Sequence, residues 1–385
     1  MKRRILVFNR RYLPGYRAGG PIRTIANMVD RLGDELDFRI VTLDRDSGSD
    51  GPYPAVIPGG WNQVGNAQVL YLPSEEVTLR KVREIVTAVS ADFIYLNSFF
   101  DPIFTQRVLV LRRLGKIRQT RVVLAPRGEF SPGALALKSW KKNLFLRFVR
   151  ATGLYGGLTW QASSELEKAD ILRILPFVSE GSIKIAMNLA NLPQGDVTRT
   201  PGEDGGEALR ICFLSRITPK KNLDFALECL ARLRQKVSFA IYGPIEVPSY
   251  WAVCRRIISR LPDNVSVTYA GEIEHHRVRE ILSGYELFFF PTRGENYGHV
   301  IYEALSAGIP VLTSDQTPWT DLEERGAGWS LPLESPERFS AEIERFALRS
   351  AEDRRQMSRR ARAYAEERAN DAEALEAHRK LFCLG

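Results

Sequence analysis

The amino-acid sequence predicts an α/β protein built from two doubly wound domains. Three observations carry this. The chain has 385 residues, long for a single core and suited to two domains of ordinary size. Short apolar runs alternate with helix-period segments along most of it, as in parallel sheets covered by helices. The alternation stops once, between residues 192 and 208, where Pro193, Gly195, Pro201, Gly202, Gly205 and Gly206 are interleaved with acids, and then restarts.

In the first half, strands are expected near 4–8, 38–43, 69–72, 92–96, 121–125 and 158–162, with helices near 20–33, 77–89, 102–114, 134–151 and 164–175. In the second half, strands are expected near 210–214, 237–242, 265–269, 286–290, 310–313 and 327–331, and everything from Pro336 onward reads as helix. The boundaries implied are a first domain at 1–190, a linker at 191–208, a second domain at 209–368 and a closing segment at 369–385, whose helix would pack on the first domain. Two such sheets leave a cleft in which ligands are expected at the carboxyl ends of the strands.

The most informative stretch is 286–314. Leu287 to Phe290 is apolar without alternation, as in a strand buried on both faces. Pro291 ends it, Gly294 and Gly298 allow tight turns, and a helix starts at about His299 and stops before Gly308 and Pro310. Unpaired N–H groups and the positive end of the dipole suit such a helix start to phosphate. Glu295 and Glu303 bracket it, and carboxylates accept hydrogen bonds from sugar hydroxyls. A ligand carrying both phosphate and sugar is implied; a helix-favouring Glu303 and a solvated Glu295 are the alternative.

Composition is that of a soluble globular protein, with 44% hydrophobic and 26% charged residues. Cys212, Cys229, Cys254 and Cys383 are widely spaced in apolar surroundings and read as reduced core residues of a cytosolic protein. The basic start Met1-Lys-Arg-Arg is followed by only four apolar residues, Ile5 to Phe8, so a first strand is expected there and not a signal peptide or membrane span. The net charge of +8 is concentrated: residues 1–190 hold 28 Lys+Arg against 17 Asp+Glu, whereas 191–385 hold 26 against 29. Residues 102–164 carry 12 basic side chains and a single acid, Glu129, a footprint for a membrane surface, an anionic substrate or a nucleic acid.

Several other loops bear on chemistry. Pro14 to Pro21 is a glycine loop containing Gly19 and Gly20, with Arg17 and Arg23 nearby; a plain strand-to-helix turn is the alternative. Arg216 and Lys221, five apart across a turn, would reach a diphosphate, or else form a solvated basic turn. Asp44-Arg45-Asp46 has the Asp-x-Asp spacing of some metal sites, but its polar neighbours read as a surface loop. Neither it nor His275-His276 makes a metal set, and no catalytic metal and no cofactor are expected.

Together these residues resemble the retaining, nucleotide-sugar-dependent glycosyltransferases of family 4, with a GT-B fold of two Rossmann-like domains facing a central cleft and a C-terminal helix crossing back to the first. Phe213-Leu-Ser-Arg-Ile-Thr-Pro-Lys-Lys-Asn-Leu-Asp resembles the family's Arg-x4-Lys signature, Glu295-Asn-Tyr-Gly-His-Val-Ile-Tyr-Glu303 its Glu-x7-Glu segment, Gly19-Gly20 its glycine loop, and Pro126-Arg-Gly-Glu-Phe-Ser-Pro-Gly its acceptor-side loop. The resemblance implies that Arg216 and Lys221 hold the donor diphosphate with the backbone of Gly298, His299 and Val300. Asn296 and Tyr297 would complete that donor loop, Glu303 would bind the ribose, and Glu295 the transferred sugar. Gly271 and Ile273 would meet the base, and Gly19 and Gly20 would approach the phosphates.

The chain departs from the family where relatives have a His-Gly step, because here the residues are Arg127-Gly128. Arg127 would bind an anionic group and Glu129 would orient or deprotonate the acceptor; an ion pair between them is the alternative. Leu135 to Arg150 interleaves apolar and basic residues, a pattern suited to an anionic membrane or to a core helix with a solvated basic face. The implied activity is transfer of a sugar to a glycan or lipid-linked glycan in surface polysaccharide or glycolipid synthesis. It would take place in the cytoplasm, peripheral to the inner face of the plasma membrane. The rival readings are a sugar phosphorylase, a nucleotide-sugar epimerase, a non-catalytic sugar-nucleotide binder or a nucleic-acid binder. No recognisable nucleic-acid module is present.

Overall fold

The computed structural model describes residues 2–17, 19–118, 120–136, 139–191 and 208–383. The linker expected at 191–208 lies outside them except for its two ends. The chain divides into one unit of Met1–Asn191 with Asp371–Gly385 and another of Leu192–Asn370.

The first unit contains strands β1 (Arg3–Phe8), β2 (Leu36–Leu43), β3 (Trp61–Val64), β4 (Ala67–Leu72), β5 (Phe93–Asn97), β6 (Arg121–Ala125), β7 (Thr159–Ala162) and β8 (Ile183–Ile185). Its helices are α1 (Gly20–Leu32), α2 (Leu79–Val89), α3 (Thr105–Arg113), α4 (Pro132–Ala136), α5 (Ser139–Thr152) and α6 (Glu165–Ile174). The sheet order is β3-β4-β2-β1-β5-β6-β7-β8, parallel except for the β3–β4 pair. Strand alternation sends Leu6 and Phe8 of β1 into the core on one face, with Val108 of α3 and Val149 of α5. Ile5 and Val7 enter the other core, with Ile25 and Val29 of α1. Thr78 and Ser164 cap α2 and α6 by accepting the N–H groups of Lys81 and Glu167.

The second unit contains β9 (Leu209–Leu214), β10 (Val237–Tyr242), β11 (Val265–Gly271), β12 (Leu287–Phe290), β13 (Val311–Ser314) and β14 (Gly328–Leu331), in the order β11-β10-β9-β12-β13-β14 and parallel throughout. Helices α7 (Leu223–Leu230), α8 (Pro248–Ile258), α9 (His275–Leu282) and α10 (His299–Ser306) connect them, and α11 (Pro336–Ala347) and α12 (Ala351–Ala369) follow. The central strand β12 is fully buried, as its unbroken apolar run predicts. The last helix, α13 (Ala372–Cys383), belongs to the first unit, where Phe382 sets its ring edge-on to Phe93 and Tyr95 at 5.9 and 5.4 Å.

The helix expected over 134–151 is helical in both of its described parts, α4 and α5, and residues 137–138 lie outside the described residues. One expectation needs correction here. Asp44 and Asp46 are not solvated loop residues: they are 2% and 7% exposed. Asp46 accepts the N–H groups of Tyr16 (2.8 Å), Arg17 (3.1 Å) and Ser47 (2.7 Å), and Asp44 pairs with Arg45 at 2.8 Å. A buried carboxylate needs such donors, so Asp46 serves to hold the glycine loop while Asp44 engages Arg45. Cys212, Cys229 and Cys254 are buried thiols.

Candidate active site

In the second unit, the loops after β9, β10 and β12 converge. After β9 a short 3-10 turn, Pro219–Lys221, leads to Asn222, a buried residue in the left-handed region at φ 63°. Its amide donates to Pro291 O (2.9 Å) and accepts from Arg293 Nε (2.9 Å), while Arg293 N donates to Lys220 O (2.9 Å). These bonds lash the Arg216–Lys221 loop to the loop carrying Glu295. Nothing in the spacing of the sequence announces that task for Asn222.

Lys221 and Glu295 consequently face each other. The ammonium lies 2.5 Å from Glu295 Oε1, both side chains being nearly buried, and the Thr292 hydroxyl donates to the same oxygen at 3.1 Å. Burial alone would raise the Glu295 pKa. The charges of Lys221 and Lys220 and the hydrogen bonds from Lys221 and Thr292 outweigh it and hold the carboxyl below its ordinary range. Glu295 N donates to Gln316 O at 3.0 Å, which fixes the backbone of the loop.

Arg216 is the more open cation. Its guanidinium pairs with Glu246, in the loop after β10, at 2.7 Å, with both side chains over 40% exposed. Gly243 makes this approach of the two loops: its φ is 124°, and a Cβ there would sit 2.0 Å from Ser215 O. Gly243 N also donates to Gly271 O, so the ends of β9, β10 and β11 are drawn together, with Gly271 at φ 81° and Ile273 two residues on.

The expected helix start is α10, whose N-cap is Gly298 at φ 77°. With no side chain there, no side-chain cap covers the first turn. A Cβ at this position would meet Ile301 Cδ1 at 2.9 Å and Trp319 Nε1 at 3.5 Å. The preceding turn is held from behind, since buried Trp319 donates its indole N–H to Tyr297 O and packs on the Tyr297 ring at 5.6 Å. Asn296 lies in this turn, His299 and Val300 open the helix, the Tyr297 and His299 rings are 4.8 Å apart, and Glu303 is half-buried in the second turn.

In the first unit, Arg127 leaves β6 in the left-handed region at φ 57° and is followed by Gly128 at φ 75°. The guanidinium donates to Asn97 Oδ1 (3.1 and 3.0 Å), to Asn188 Oδ1 (2.7 Å) and to the Tyr95 hydroxyl. Behind this set lie Gln161, which accepts from Tyr95 OH, and buried His378 of α13, 3.5 Å from Gln161. Burial, partly offset by the bond to Ala374 O and aided to a smaller extent by the Arg127 charge, drops the His378 pKa to about 4.

Arg127 and Glu129 do not pair with each other, contrary to one of the two readings of these residues. Glu129 turns to the start of the 98–101 turn, accepting from the Ser98 hydroxyl (2.6 Å) and from the N–H groups of Phe99 (2.6 Å) and Phe100 (3.2 Å). Burial pushes its pKa up to about 7, against those three bonds and the charge of Lys142. Gly128 N instead donates to buried Glu167, which also holds Ser163. Gly19 is the N-cap of α1 at φ 66°, followed by Gly20. Among the described residues no group of three or more His, Cys, Asp or Glu is placed to hold a metal ion.

The two mainly parallel sheets define the GT-B fold, which solved structures share over the whole chain. HepE from Anabaena, solved with UDP and glucose, is 16% identical with 98% of each chain covered and a TM-score of 0.70. Sucrose-phosphate synthase from Thermosynechococcus elongatus is 18% identical with 100% of each chain covered and a TM-score of 0.72. WaaG, a glycosyltransferase involved in lipopolysaccharide biosynthesis, is 14% identical with 99% and 100% covered and a TM-score of 0.69. Residues 199–364 match the family model described as glycosyl transferases group 1, a stretch that contains Arg216, Lys221, Glu295 and Glu303 and leaves the first unit outside it. No curated protein matches the chain.

Proposed function

We propose that the protein is a retaining glycosyltransferase that moves a sugar from a nucleotide-diphosphate sugar to a glycan or lipid-linked glycan. The observation that carries this reading is the convergence of Arg216, Lys221, Glu295 and the Gly298 helix start on loops tied together by Asn222. The group 1 match over the same residues supports it, as does the likeness in fold to HepE, solved with UDP and glucose.

In this reading Arg216 and Lys221 take the donor phosphates, joined by the amides at the start of α10. Breaking the bond between the sugar and the diphosphate builds negative charge on the leaving group, which fixed cations and oriented N–H groups stabilise in place. They supply the charge that a divalent ion supplies elsewhere, so no metal is assigned. Glu295, already ionised, accepts hydrogen bonds from the transferred sugar, and Glu303 from the ribose. Gly271 and Ile273 meet the base through their backbone. The acceptor hydroxyl enters on the face from which the diphosphate leaves, and its proton passes to a phosphate oxygen. Arg127, held by Asn97, Asn188 and Tyr95, lies on the acceptor side as an anion-binding group, and Glu129 holds the turn at 98–100.

The test is turnover of nucleotide sugars with and without glycan acceptors. Transfer that depends on an acceptor and conserves the anomeric configuration is expected. Turnover that needs orthophosphate, or that isomerises the nucleotide sugar with no acceptor, would assign the site to a phosphorylase or an epimerase instead.

A further inference from the structure

Helix α5 divides its side chains between two environments. Leu146 and Val149 are buried, and Phe145 packs inward with its ring 5.7 Å from Phe99 and 6.3 Å from Tyr155. Trp140, Leu144 and Phe148, spaced four apart and so on one stripe, are 67%, 63% and 52% exposed. The core therefore takes the other face of the helix and leaves three of its largest apolar side chains outside.

Cations frame that stripe. Lys141 Nζ lies 5.3 Å from the Trp140 ring centre, and Arg147 and Arg150 are exposed on the same helix. The one acid within 102–164 is Glu129, whose carboxylate is engaged by Ser98, Phe99 and Phe100. The surface also continues beyond α5. Arg112 donates to Gly156 O (2.8 Å) and Gly157 O (3.0 Å), which fastens the turn after α3 beside the loop that follows α5. That turn presents Leu114, 61% exposed, between exposed Arg113 and Lys116.

We propose that α5, extended by the turn at 112–118, docks the first unit on an anionic lipid surface. An apolar stripe on a helix that itself carries cations and no acid fits a bilayer interface: the apolar side chains enter the acyl boundary while Lys and Arg meet headgroup phosphates. A second copy of the chain would set the same cations against one another. An acidic soluble partner would satisfy the cations but would not account for the Trp-Leu-Phe stripe. Docking stands independently of the transferase reading; the further step, that the acceptor is carried by a lipid, rests on that reading.

The test is co-sedimentation of the full chain with phosphatidylcholine vesicles, with and without about 30% phosphatidylglycerol, at low and at about 0.5 M salt. Binding is expected with the anionic vesicles and weakens roughly tenfold or more in high salt or without phosphatidylglycerol. The triple change Trp140→Ser, Leu144→Ser, Phe148→Ser should lower vesicle binding on the order of 30-fold or more with an unchanged Tm, because these side chains lie outside the core. Lys141→Glu with Arg147→Glu should abolish the salt-dependent part. Equal binding to neutral vesicles, or unchanged binding of the triple variant, would overturn the proposal. So would a lipid-free dimer that the triple variant loses, which would make the stripe a contact between copies. No nucleotide is present in these assays, so their failure leaves the transferase reading intact.

Discussion

Lys221 and Glu295, on loops that follow different strands, share a nearly buried ion pair at 2.5 Å. The cation assigned to the donor phosphates thus has a carboxylate partner of its own, and so does Arg216, which pairs with Glu246. Donor binding in this account exchanges partners: phosphate takes the cations, and Glu295 turns to sugar hydroxyls. The exchange avoids leaving an uncompensated charge in a desolvated site.

Replacing Glu295 by Gln tests the exchange. Nucleoside diphosphate should bind as tightly as to the parent or somewhat more tightly, since Lys221 no longer has a competing carboxylate. Transfer should fall on the order of 10²-fold with the loss of a charged hydrogen bond to the sugar. Calorimetric titration with the diphosphate beside a transfer assay separates the two effects; a diphosphate affinity weakened more than about tenfold would make the pair a support for the site, not its competitor.

Arg216 gives a paired prediction. Arg216→Ala should cost on the order of 10² or more in turnover at saturating donor, and a loss under about fivefold would remove it from the reaction. Glu246→Gln should do the opposite at the level of binding, tightening the diphosphate by roughly two- to fivefold at low salt, the range of a solvent-screened pair.

Glu129 links pH to stability in the first unit. Its folded pKa of about 7 lies above the ordinary carboxyl value, so the folded state binds the extra proton between the two. Stability from this group is therefore full below about pH 4.5 and declines as pH rises to about 7, by about 1–3 kcal/mol. Glu129→Gln, which keeps an oxygen for the Phe99 and Phe100 amides, should flatten that decline. Urea midpoints at pH 5 and pH 7.5 compare the two proteins.

At Gly298 the prediction is local strain. Ala at φ 77°, with its methyl 2.9 Å from Ile301 Cδ1, should destabilise the second unit by about 1–3 kcal/mol. It should also crowd the amides that would meet phosphate, and urea unfolding followed by donor titration measures each consequence. Unchanged stability would mean that the turn relaxes without Gly298.

The sheets were largely legible because parallel strands buried on both faces leave unbroken apolar runs, such as Leu287 to Phe290. β3 was not, because Trp61–Val64 is a half-exposed antiparallel edge strand, and the three residues of β8 are too few for any pattern. In the candidate site, Arg216, Lys221, Glu295 and Gly298 have readable spacings because each sits a fixed number of residues beyond a strand or before a helix. Glu246 and Asn188 did not, since the first meets Arg216 and the second Arg127 only where distant loops are brought together. Asp46 was misread for the opposite reason: its polar neighbours resemble a solvated loop, whereas the backbone amides of Tyr16 and Arg17 bury it.

The most direct measurement of the donor site is thermal unfolding with a panel of UDP-, GDP-, ADP- and dTDP-sugars, on the parent and on the Arg216→Ala, Lys221→Ala double variant. The account predicts that at least one nucleotide sugar, at about 100 times its Kd, raises the Tm of the parent by roughly 5–10 °C, and that the double variant loses most of this shift. No shift with any of the panel, or the same shift in the double variant, would contradict it.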